Sequence, residues 1–153
     1  NKNVFDVNLR TPHYQQPGVE ILLKKTDILK MNLAELILIT DWFSRGGSVE
    51  DRMKFLRHRF GIETIIVTRG GEGAILLAEE KLTDHPGYSI EVKDTIGSGD
   101  AFLAGFLAQT IRGADAAEAL DFAAAIGAFV ATKSGGTPSY VSEDVQRFKN
   151  AKK

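Results

Sequence analysis

The sequence predicts an α/β domain built on a mostly parallel sheet flanked by helices, and three observations carry that reading. Strand-like and helix-like segments alternate from Val4 to Thr68. The run IETIIVT, residues 62–68, is rich in β-branched residues, as a strand buried on both faces requires. Two later stretches, 100–113 and 115–135, are rich in alanine and apolar over wide faces, the signature of helices packed against other structure. With 153 residues and 43% hydrophobic composition the chain can bury a core, and one domain over residues 1–153 is the default expectation.

The elements follow in order. Val4 to Val7 reads as a short strand, followed by the polar loop NLRTPHYQQPG. Pro17 suits the first turn of a helix running to about Lys25. DILKMN reads as a second strand, after which Asn32 or a neighbour caps a helix to about Phe43. Ser48 and Asp51 have the spacing of a capping box at the start of VEDRMKFLRHRF. IETIIVT and GAILLAEE then face each other across RGGEG as a hairpin-like pair, and KLTDHPGYSIEVKDTIGSG reads as a long connection. The two alanine-rich helices follow, and SEDVQRFKNAKK closes the chain as a short amphipathic helix ending in solvated lysines.

Composition narrows the function. Lys and Arg number 19 against 20 Asp and Glu, so the charge balance gives no footprint for nucleic acid or an anionic membrane. The absence of cysteine removes disulfides, thiolate metal sites and cysteine nucleophiles. The longest apolar run, Phe122 to Ala131, is far short of the roughly 20 residues that span a bilayer. No signal-peptide pattern opens the chain, and a cytoplasmic protein is expected. The chain begins without Met, almost inside a strand, as a piece of a longer protein would.

The stretch EVKDTIGSGDAFLAGF, residues 91–106, carries the chemistry. A loop holding Gly97, Ser98 and Gly99 leads into a helix beginning near Asp100. Glycines allow backbone N–H groups to converge, and a helix start adds unpaired N–H groups with a positive dipole end, so the stretch reads as an anion hole. An aspartate beside such a hole suits deprotonation of a hydroxyl while a neighbouring group gathers negative charge, as in phosphoryl transfer to an alcohol. The competing reading is that Asp100 caps the helix. The stretch matches neither G-x-G-x-x-G nor G-x-x-x-x-G-K, because Phe102 occupies the position of the third glycine.

DTIGSGDAFLAGF resembles the signature of the ribokinase-like sugar kinases, the phosphofructokinase-B family, D-T-x-G-A-G-D-x-F-x-A-G. Asp94, Thr95, Gly97, Gly99, Asp100, Phe102, Ala104 and Gly105 match, and Ser98 replaces alanine. The resemblance implies a Rossmann-like, three-layer ribokinase fold, here its C-terminal half, without the sugar-binding half and lid. It makes Asp100 the catalytic base and the amides of Gly97, Ser98 and Gly99 the anion hole. KMNLAEL resembles the family's N-x-x-E motif, which places Asn32 and Glu35 at the nucleotide phosphates, with Glu35 reaching Mg²⁺ through water. VTRGGEGA resembles the turn V-T-x-G-x-x-G-A, where Thr68, Arg69, Gly70 and Gly73 would border ATP; a plain glycine hairpin is the bland alternative.

TKSGGTPS resembles the segment that closes over the nucleotide base. Gly136 would lie against the cofactor, and Asp94, Ile96, Gly135 and Ser139 would hold a monovalent cation, K⁺. FDVNLRTPHY resembles the D-x-N-x-R segment of the fructokinase and ketodeoxygluconate kinase branches, with Asp6, Asn8 and Arg10 facing phosphate or sugar. The activity implied is ATP-dependent phosphorylation of a small sugar, most like a fructokinase, by an intact protein expected to be a homodimer. The alternatives are kinases for ribose, ketodeoxygluconate or a nucleoside, and a non-catalytic nucleotide-binding module. His13, His58 and His85 lack metal spacing, and Trp42 and Phe43 read as core or interface.

Overall fold

The computed structural model describes residues 1–135 and 138–152. Its contacts divide into two compact units, Asn1–Gly70 with Ile75–Asp84, and Gly71–Ala74 with the chain from His85 onward. One unit is closed by a sheet with helices and the other by helices alone.

The first unit holds β1 (Val4–Asp6), α1 (Gln16–Leu23), β2 (Ile28–Asn32), α2 (Leu33–Asp41), α3 (Val49–Phe60) and β3 (Thr64–Thr68). β4 (Ala74–Ala78) and β5 (Lys81–His85) complete a five-stranded sheet of order β1-β2-β3-β4-β5. β1, β2 and β3 are parallel, with Asp6 opposite Lys30 and Asn32 opposite Thr68. Ile65, Ile66 and Val67 of β3 are buried on both faces, as their β-branched run predicts. Leu23, Leu29, Met31, Leu36, Ile39, Met53 and Leu56 fill the same core. Tyr14, Trp42, Phe43 and Phe60 pack partly buried around it.

Local signals explain most helix starts. Pro17 lies in the first turn of α1. Asn32 with Glu35 and Ser48 with Asp51 form capping boxes, each cap being typically worth about 1 kcal/mol. α3 ends on Gly61 in the left-handed conformation. α1 and α2 stop about two residues before the ends read from sequence, at Leu23 and Asp41.

β5 lies inside the stretch that reads from sequence as a connection. Its hairpin with β4 turns on Glu79 and Glu80, both at positive φ (51° and 62°), as a type I′ turn requires. Glutamate is a poor sequence signal for that turn, and KLTDH carries little apolar alternation.

The second unit is built on α4 (Ser98–Ile111), α5 (Ala116–Ala131) and α6 (Ser142–Lys152). Small residues let α4 and α5 approach closely: a Cβ added at Gly105 would lie 2.7 Å from Ile126 Cγ2. α5 opens on an Asp115–Glu118 capping box. α6 seats Val145 and Phe148 against Ala125, Ile126, Phe122 and Phe129. α4 begins two residues earlier than the sequence suggests and α5 ends four residues earlier than Gly135. Among the described residues no helix is long and apolar enough to cross a membrane.

Candidate active site

In the first unit, three motifs distant in sequence reach the carboxyl end of one parallel sheet, where ligands of open α/β sheets bind. Asp6 ends β1, Asn32 ends β2 and Thr68 ends β3, the last two being register partners. Thr68 Oγ1 donates to the carbonyl of Met31 at 3.4 Å. Asp6 accepts from the buried ammonium of Lys30 at 2.9 Å. Asn8 and Arg10 are exposed, and Arg10 Nε donates to Asn8 Oδ1 at 3.4 Å. A groove of about 520 Å³ is lined by Phe5, Asp6, Asn8, His13, Tyr14 and Val19.

Glu35 is nearly buried, at 9% exposure, and both of its oxygens accept backbone N–H groups. One takes Asn32 N–H at 2.9 Å in the capping box and the other takes Leu9 N–H at 3.2 Å. The N-x-x-E motif thereby ties the segment after β1 to the start of α2. Each oxygen keeps one lone pair open, which suits a contact to a hydrated divalent ion. Arg69 forms an ion pair with Asp84 at 2.6 Å. Among the described residues no three His, Asp or Glu side chains cluster as a metal site.

Gly73 has a reason of its own to be glycine. Its φ is +85°, and an added Cβ would lie 1.9 Å from the carbonyl oxygen of His85. Gly70, at φ +59°, has open space around its missing Cβ. Two glycines of one motif thus meet different demands.

In the second unit, Gly97 caps α4 in the left-handed conformation (φ 78°) and makes no side-chain bond. Asp100 is the third residue of α4, exposed, and its carboxylate has no hydrogen-bond partner among the described residues. The N-cap expectation for Asp100 is therefore replaced by a free carboxylate in the first helical turn. Among the described residues the amides of Gly97, Gly99 and Asp100 donate to no backbone acceptor, whereas that of Ser98 donates to Thr95 O at 3.2 Å. The open donors thus differ by one residue from the set Gly97, Ser98 and Gly99 named from sequence.

Asp94 draws two segments together. Its Oδ1 accepts Ile96 N–H at 2.9 Å and its Oδ2 accepts Gly135 N–H at 3.3 Å. Three of the four residues named for a monovalent cation are thus joined through N–H groups, and the Asp94 carboxylate keeps further lone pairs that suit a cation in donor chemistry. Ser139 is exposed and makes no bond to them among the described residues. Gly136 lies outside the described residues.

The sequence profile described as pfkB family carbohydrate kinase matches residues 1–143. The chain belongs to the pfkB family. It is 30% identical over 126 residues to the ATP-dependent ribose-1-phosphate kinase of Halopiger xanaduensis, covering 82% of this chain and 40% of that protein. Fructokinase-1 of Oryza sativa subsp. japonica is 31% identical over 151 residues, covering 91% of this chain and 46% of the relative. Aminoimidazole riboside kinase from Salmonella enterica, solved with aminoimidazole riboside and an ATP analog, superposes with a TM-score of 0.79 at 28% identity. That superposition covers 96% of this chain and 52% of the other. The chain therefore spans about half the length of the pfkB-family proteins it matches.

Two polar groupings of this pfkB-family chain escaped the sequence reading. Lys30 sits in an apolar strand, and a lone lysine there is the available signal for a buried ion pair with Asp6. Asp121 is the single charge within ALDFAAAIGAF, and it gathers His85 Nε2 at 2.9 Å, Lys149 Nζ at 2.6 Å and the hydroxyl of Tyr88. Burial works to raise the Asp121 pKa, but the bonds from Lys149, Tyr88 and His85 outweigh it and hold it at about 2. Burial, then the Asp121 hydrogen bond and charge, push Tyr88 well above its ordinary range. The tether fastens the segment after β5 and α6 to α5.

Proposed function

We propose that this chain is the nucleotide-side part of an ATP-dependent sugar kinase of fructokinase type, which transfers the γ-phosphate of ATP to a sugar hydroxyl. One observation carries the reading: among the described residues an exposed carboxylate without a hydrogen-bond partner, Asp100, stands beside the open amides of Gly97 and Gly99 at a helix start. An aspartate engaged in capping is poorly available as a base, whereas this one is free to accept a proton. The amides and the positive end of α4 face the charge that gathers on a transferring phosphoryl group.

The residues take distinct parts. Asp100 accepts the proton of the acceptor hydroxyl, and the Gly97 and Gly99 amides hold phosphoryl oxygens. In the first unit, Asn32, Thr68 and Gly70 border the nucleotide, Glu35 holds Leu9 and Asn32 in place, and Arg10 neutralises charge on phosphate or sugar. Asp94 aims the loop and offers oxygen to K⁺. Asn32 and Glu35 would hold Mg²⁺, which would supply neutralisation of phosphate charge when bound with ATP. The fructokinase relative favours fructose, and the riboside and ribose-1-phosphate kinases mark the alternatives within the class. The free Asp100 argues against a non-catalytic module, in which a base has no use.

Calorimetry with ATP and ADP, paired with a coupled assay for fructose phosphorylation, tests the reading. Weak nucleotide binding without appreciable turnover is expected, because effective positioning of an acceptor hydroxyl needs groups beyond this half. Rapid turnover by the chain alone contradicts that division, and a chain that binds no nucleotide contradicts the assignment itself.

A further inference from the structure

The loop that carries Asp94 and Gly97 is fastened at both ends to the final turn of α5. At one end, the N–H groups of Lys93 and Asp94 donate to the carbonyl of Ala131 at 2.9 and 3.3 Å. At the other, the hydroxyl of Ser98 donates to the carbonyl of Gly127 at 2.8 Å. The two acceptors are four residues apart, one turn of helix, or about 6 Å along its axis. Ala131 is the last residue of α5, so its carbonyl has no partner within the helix.

Gly127 favours this contact. A Cβ there would lie 3.2 Å from Ser98 O and 3.3 Å from Phe102 Cβ, so glycine lets the first turn of α4 settle onto α5. Between the fastenings lie only Thr95, Ile96 and Gly97, and Asp94 Oδ1 further holds Ile96. The open amides at Gly97 and Gly99 thus flank a residue whose side chain is anchored.

We propose that the last turn of α5 is the template for the phosphate-side loop, and that the Ser98 hydroxyl is the positioning group that fastens the start of α4 to it. Alanine, which stands here in the family pattern, has no hydroxyl for this bond, so serine is an active part of this chain rather than a neutral replacement. The inference rests on the reading of this loop as the phosphate side of a nucleotide site.

Ser98→Ala and Ser98→Thr in the chain test it by two measurements. Without nucleotide, amide hydrogen exchange at Lys93, Asp94 and Ile96 is expected to quicken roughly three- to tenfold in Ser98→Ala, the range of one net hydrogen bond. ADP affinity by calorimetry is expected to weaken by a similar factor of roughly three to ten. Ser98→Thr keeps the hydroxyl and is expected to stay within about twofold of wild type in both. Unchanged exchange in Ser98→Ala, or a threonine variant that behaves like alanine, overturns the fastening. Faster exchange with unchanged ADP affinity makes the bond merely structural and overturns positioning. If wild type binds no ADP, the nucleotide assignment fails while the exchange measurement still decides the fastening.

Discussion

Replacing Gly73 by alanine drives a methyl group into backbone that has nowhere to go. The added Cβ meets His85 O at 1.9 Å, Gly87 N at 2.5 Å and Pro86 C at 2.6 Å, where carbon contacts are comfortable at roughly 3.5–4 Å. All three are backbone atoms, so no side chain can swing aside. The residue also sits at φ +85°, which costs an L-residue about 1–2 kcal/mol. Overpacking adds about 1–3 kcal/mol, and the lost unfolded-state freedom of glycine returns about 0.4–1 kcal/mol. The net loss is about 1–5 kcal/mol, centred near 3, a large part of the roughly 5–15 kcal/mol that holds a protein folded.

Gly70→Ala is the internal control, since its Cβ meets nothing within 4 Å and only the φ of +59° is strained. Urea unfolding followed by circular dichroism measures both variants. With a slope of about 2 kcal/mol per molar, a loss of about 3 kcal/mol should move the Gly73→Ala midpoint about 1.5 M below wild type, and Gly70→Ala well under half as far. Equal losses in the two variants, or a Gly73→Ala within about 1 kcal/mol of wild type, refute the close-approach argument. Gly73 would then owe its identity to ATP alone, and only nucleotide affinity should change.

The two aspartates of DTIGSGD should fail differently. In the intact protein, Asp100→Asn is expected to lower kcat by on the order of 10²–10⁴ with little change in nucleotide KM, while Asp94→Ala abolishes any K⁺ activation and weakens nucleotide binding. Steady-state kinetics with K⁺ and with a bulky organic cation separates them, and equal loss of the K⁺ effect in both contradicts the division. The Asp121 tether gives a pH dependence of both signs. Asp121 is lowered from 3.8 to about 2, so its contribution is full above pH 3.8 and is lost as pH falls towards 2. Tyr88 is raised above its ordinary 10.0, so its contribution is full below pH 10.0 and is lost as pH rises beyond. Thermal midpoints against pH should show Asp121→Asn flattening the acid limb and Tyr88→Phe the alkaline one; parallel curves for wild type and both variants exclude the tether.

Much of the site was legible because its signals are local. Asn32 and Glu35 are three residues apart, so the capping box they form follows from helix geometry alone. Gly97 and Asp100 likewise mark a turn into a helix, although the sequence could not decide whether Asp100 caps or stands free. That choice depended on where α4 begins: with Gly97 in the cap position, Asp100 stands three residues beyond it and its carboxylate is exposed. β5 was hidden because its turn uses Glu79 and Glu80 in a conformation those side chains do not advertise.

Residue order alone determined the alternation of strands and helices, the buried strand read at 62–68, the helix starts at Asn32 and Ser48, and the family signature at 94–106. Each depends on spacing or on conformational preference within a few residues, which any single sequence displays. Tertiary structure alone decided that Glu35 also binds Leu9, that Gly73 packs on His85, and that Asp121 gathers His85, Tyr88 and Lys149. It also decided that the Ser98 hydroxyl finds Gly127. Those partners lie 12 to 36 residues apart, and no local preference encodes them. They exist because packing the core brings the chain segments close and leaves each buried polar group to satisfy its hydrogen bonds with whatever that packing has placed beside it.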